Sequence, residues 1–121
     1  MTQDELKART KLFALRVIKL VKALPRSVEG KAIANQIIRS GTSVAANYRA
    51  SCRARSRAEF ISRIGIVLEE ADETVLWLEL IVEAGLLAMK RVEPLFLEAK
   101  EIVAIMVATR KTASANLKSA I

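Results

Sequence analysis

From the first turn of the chain, Leu6, Thr10, Phe13, Val17, Leu20 and Leu24 recur at alternating steps of four and three. That spacing is the period of an α-helix read along one face, and a strand, whose side chains alternate every second residue, cannot bury such a set on one side. A Thr2-x-x-Glu5 capping box precedes the run and Pro25 ends it, so a first helix is predicted over about residues 3–24. Its other side is cationic, carrying Lys7, Arg9, Lys11, Arg16, Lys19 and Lys22.

Three further helical segments follow. Ser27 is a candidate cap for a second helix over about residues 29–53, in which Ile33, Ile37, Val44 and Tyr48 hold an approximate helical phase across the poor helix formers Ser40-Gly41-Thr42-Ser43, where a bend is allowed. Ser56-Arg57-Ala58-Glu59 is another capping box and opens a third helix, about residues 57–84, with Gly85 as its stop. A fourth is predicted over about residues 92–112 with Pro94 in its first turn, leaving residues 113–121 as a fraying tail. With 121 residues, 52% of them hydrophobic and 4% aromatic, the chain suffices for one domain. The expected fold is all-α, an antiparallel up-down-up-down four-helix bundle spanning residues 1–121.

Helix 3 carries more apolar surface than one face can bury. Phe60, Ile64, Val67, Leu68, Ala71, Val75, Leu78 and Val82 form a core stripe, to which Leu76, Trp77, Leu80 and Ile81 add apolar groups around nearly the whole circumference. A homo-oligomer with Leu76, Trp77, Leu80 and Ile81 at its interface is therefore expected.

The residues absent narrow the chemistry. There is no His, which removes imidazole ligands and the usual Ser-His and Cys-His pairs, and the single Cys52 builds neither an intramolecular disulfide nor a zinc site. Glu69 and Glu73 share a helix face, but without His and without a facing carboxylate cluster they read as a solvated or Arg-paired acidic face rather than a metal site. No catalytic, cofactor or metal residue is assigned, and an enzyme is not expected. The start Met1-Thr2-Gln3-Asp4-Glu5 has no signal-peptide pattern, and Val75–Met89 is too short and too interrupted by Glu79 and Glu83 for a bilayer span, so a cytoplasmic protein is expected.

Charge is segregated. The net charge is +7, yet residues 31–68 carry Lys31, Arg39, Arg49, Arg53, Arg55, Arg57 and Arg63 against Glu59 alone, while residues 69–98 carry eight acids against Lys90 and Arg91. Cations at the end of helix 2 are favoured by the helix dipole, so Arg49 and Arg53 need no ligand; Arg57, in the first turn of helix 3, sits at the wrong end of a dipole and calls for an anion. Arg39, Arg49, Arg53, Arg55, Arg57 and Arg63, with the cationic face of helix 1, are the candidate nucleic-acid contacts. The alternative is a protein-interaction scaffold whose arginines pair with acidic helices.

The run Gln36-Ile37-Ile38-Arg39-Ser40-Gly41-Thr42-Ser43-Val44-Ala45-Ala46-Asn47-Tyr48-Arg49, extended by Ser56, Glu59, Phe60, Glu69-Glu70-Ala71-Asp72-Glu73-Thr74 and Trp77-Leu78, resembles the signature of the bacterial 23S rRNA intervening-sequence protein family. That family is similar in fold to the accessory variability determinant of diversity-generating retroelements. The resemblance implies a cytoplasmic, non-enzymatic homopentamer of four-helix bundles that binds nucleic acid, RNA before DNA, with a reverse transcriptase as a partner by analogy. One position departs: family members commonly carry Glu where this chain has Ala50. By spacing alone, Gln36, Arg39, Ser43 and Asn47 line one face of helix 2 and are expected to hydrogen-bond an adjacent helix, with Gly41 and Ala45 allowing close approach.

Overall fold

The computed structural model describes residues 1–119, which form four α-helices: α1 (Gln3–Val21), α2 (Val28–Ser51), α3 (Arg57–Glu83) and α4 (Met89–Ser119). Each of the first three starts on a hydroxyl cap. The Thr2 side chain accepts from the Glu5 N–H, Ser27 from the Gly30 N–H and Ser56 from the Glu59 N–H, each at 3.1 Å. At the third, the Glu59 carboxylate reaches back past the cap and accepts from the Arg55 N–H at 2.9 Å. Helix α3 stops as expected at Gly85, whose φ of 72° is open to glycine. The Gly85 N–H there donates to the Val82 carbonyl and the Leu86 N–H to the Ile81 carbonyl, the paired bonds of a Schellman motif.

Helix α4 departs most from expectation. It begins at Met89 rather than near residue 92, and Pro94 lies inside it, beyond the first turn. Proline there leaves the Lys90 carbonyl without its helical donor and crowds it with the ring, a cost offset by the burial of Val92 and Leu95 on either side. At the other end, the stripe Val92, Leu95, Ala99, Ile102 and Met106 continues to a buried Ala113, which carries the helix through residues assigned from sequence to a fraying tail. The last two positions of that tail, 120–121, lie outside the described residues.

The helices close a cycle: α1 packs on α2, α2 on α3, α3 on α4, and α4 returns to α1 through the least extensive of the four contacts. Phe13, Val17, Ile37, Val44, Tyr48, Ile64, Val67, Leu78, Ile81, Ile102 and Met106 fill the centre. Helix α2 runs unbroken through Ser40-Gly41-Thr42-Ser43 because tertiary contacts outweigh its weak propensity. Gly41 is where α1 comes closest: a Cβ at this position would meet the Val17 methyls at 2.8–2.9 Å. One residue earlier, the buried Ser40 hydroxyl accepts from Thr74 of α3 at 2.8 Å, a polar contact fully enclosed in the core.

Candidate nucleic-acid interface

The six candidate arginines differ in what they touch. Arg39 Nη2 lies 2.6 Å from Glu73 Oε1 and its Nη1 3.8 Å from Glu70 Oε2, both on α3, so the Arg at the centre of the polar row on α2 is held by the acidic helix of its own chain. Arg63 donates to Glu59 one turn earlier, at 3.2 Å. Arg55 sits in the α2–α3 turn beside Glu59, whose carboxyl is held below the usual range first by the Arg55 N–H and then by Arg63. Arg57 lines a cleft with Phe60, Thr109, Thr112 and Asn116 on one side and another with Ser51, Cys52 and Ala54 at the exit of α2 on the other.

Arg49 and Arg53 do converge. They lie one turn apart on the last two turns of α2 and its exit, and with Lys7 and Lys11, one turn apart on α1, they line an open groove of about 440 Å³. The rest of its lining is Ala14, Thr42, Ala45, Ala46 and Ala50, so the floor is small and uncharged and no acid enters the groove. Neither Arg49 nor Arg53 has an ion-pair partner among the described residues. Ala50, the position where the resembled pattern has Glu, lines this groove, and its methyl adds no carboxylate to the floor; among the described residues, Lys7 alone of the four cations has an acid near, Asp4 at 4.0 Å one turn back on α1. Sequence reading placed Lys7 and Lys11 on a general cationic face; the signal that singles them out, their four-residue spacing in phase with Ala14, acquires meaning only once α2 lies alongside.

Other cations of α1 are placed differently. Arg9, counted with the free cationic face, is not free: its Nε and Nη2 donate to the two carboxylate oxygens of Glu98 on α4 at 2.8 and 2.7 Å, and Nη2 also lies 3.0 Å from Glu101. The Arg9 hydrogen bonds hold the Glu98 carboxyl below its usual range against the opposing effect of burial. Arg16 and Lys19 face Arg91 of α4 across a second, smaller groove of about 270 Å³.

The four residues assigned to an oligomer interface also divide. Leu76 and Leu80 are exposed on α3, and Trp77 is half-buried with its Nε1 donating to Glu73 Oε1 at 3.3 Å. Ile81 is fully buried in the core and leaves the outer face; it shares the inward side of α3 with Leu78 and Thr74, and the all-apolar run concealed that register. Tyr48 is likewise a core side chain, its hydroxyl pushed above the usual phenol range by burial, with Cys52 beside it.

Glu70 is the least satisfied acid on the face of α3 that meets the polar row. Its Oε2 is buried with no hydrogen bond, and burial, with Glu73 and Glu69 nearby, raises its carboxyl above the usual range despite Arg39. An acid with a raised folded-state pKa detracts from stability as pH rises from its unfolded value through its folded one, so the penalty is absent in acid and grows with pH. Glu70→Gln is therefore expected to raise the denaturation midpoint at about pH 7, with the gain over wild type vanishing toward about pH 4. Urea titrations of both proteins across that range check it.

A family model described as 23S rRNA-intervening sequence protein matches residues 4–108. Among solved structures, the chain is similar to the crystal structure of a protein of unknown function from the S23 ribosomal protein family of Bacteroides thetaiotaomicron VPI-5482. The two are 35% identical with a TM-score of 0.82, over 88% of this chain and 98% of that one. No curated protein matches. Among the described residues, no helix is long and apolar enough to cross a membrane.

Proposed function

The chain belongs to the 23S rRNA-intervening sequence protein family, and on that footing we propose that it is a non-enzymatic accessory protein that binds nucleic acid through the α1–α2 groove. In this reading it is a cytoplasmic up-down-up-down antiparallel bundle, assembled as a homopentamer, and it takes RNA in preference to DNA. The observation that carries the proposal is the acid-free groove in which Lys7, Lys11, Arg49 and Arg53 flank an alanine floor. Cations from two helices set along an open trough suit a run of phosphates, and the small floor lets a backbone approach closely. The preference for RNA and the pentamer rest on the family alone, as does a reverse transcriptase as protein partner.

Binding of duplex and single-stranded RNA and DNA across a salt series tests the reading. Four phosphate contacts predict a slope of about −3 to −4 in log affinity against log salt. No binding at about 50 mM salt would return the groove to the competing reading, a scaffold for an acidic protein.

A further inference from the structure

Two outer faces of the bundle are matched to each other rather than to water. On α1, Leu12 and Leu15 are 57% and 53% exposed, and the exposed Lys19 and Lys22 lie beside them on the C-terminal side, away from the groove lysines. On α3, Leu76 and Leu80 are 47% and 36% exposed, on a face that carries Glu69, Asp72, Glu79 and Glu83, all exposed. Each face is a pair of leucines one turn apart, and the charged residues within a turn of those leucines are all cationic on α1 and all acidic on α3. Helices α1 and α3 are not neighbours in the cycle and sit across the bundle's diagonal, so the two faces look out on opposite sides.

We propose that the α1 face of one copy docks on the α3 face of the next, a head-to-tail contact in which leucines meet leucines and lysines meet carboxylates. This rests on the self-assembly proposed above and specifies the surfaces that make it. Because like charges would oppose like if either face met its own copy, a two-fold contact through α1 or through α3 is disfavoured. Opposed faces of this kind join copies in series, and closure into a ring then depends on the angle at each contact. The occupant is a second copy because this chain itself carries the complementary face.

The test uses two double variants, Leu12→Asp with Leu15→Asp and Leu76→Asp with Leu80→Asp, measured by sedimentation beside wild type at micromolar concentration, with circular dichroism to verify folding. Wild type is expected to assemble and each variant alone to be monomeric. Mixed, they should stop at a one-to-one heterodimer, since each supplies the face the other lacks. As a milder variant, Lys19→Glu with Lys22→Glu should weaken assembly at least about tenfold. A monomeric wild type overturns the self-assembly reading as well. An assembled wild type whose variants still assemble, or whose mixed variants stay monomeric, overturns this contact alone.

Discussion

Replacing both groove arginines by acids, Arg49→Glu with Arg53→Glu, is expected to lower nucleic-acid affinity on the order of a hundredfold and to flatten the salt dependence by about two units of slope. Both side chains are exposed, so the fold should change by no more than about 0.5 kcal/mol. Arg39→Gln with Arg63→Gln is the control: these cations are committed to Glu73 and Glu59, and binding should change by less than about threefold. Ala50→Glu adds one carboxylate to the floor of the same groove and should by itself cost about tenfold. Equal effects from the groove and control variants would mean that only total charge matters and that the groove is no site.

Arg9→Met should produce the largest loss of stability among single surface changes. The pair it breaks joins α1 to α4, the least extensively packed neighbours of the cycle, and both side chains are largely shielded, at 21% and 17% exposure. Removing Arg9 leaves Glu98 short of its two strongest hydrogen bonds, and a loss of about 1–3 kcal/mol is expected, less than for a fully buried pair because some water reaches both groups. Glu98 has a lowered folded-state pKa, so the pair's contribution is full above the unfolded value and fades as pH falls through the folded one. The gap between wild type and Arg9→Met in denaturant should therefore close in acid. Adding Glu98→Gln to Arg9→Met should recover part of the loss at neutral pH, because the stranded charge is gone.

The sequence by itself determined the number and order of the helices and the starts of three of them, because those depend on local chemistry. A hydroxyl cap bonds an N–H three residues on, a glycine admits a left-handed turn, and a stripe of period 3.6 needs only its own helix to be recognised. Where α4 began and how far it ran was not legible, since small residues such as Ala113 signal burial only when another helix lies opposite. For the site, the sequence determined that arginine was concentrated near the end of α2, but not which arginines act together. Arg39 and Glu73 are 34 residues apart, and Arg9 and Glu98 are 89. Only the closing of the cycle brings each pair within hydrogen-bond distance, and thereby removes those cations from the free set. The same closure set Lys7 and Lys11 against Arg49 and Arg53. It also turned Ile81 inward while leaving Leu76 and Leu80 outside. Charge and periodicity are properties of a segment, whereas a groove and an exposed face exist only between or around packed segments, so the tertiary structure decided both.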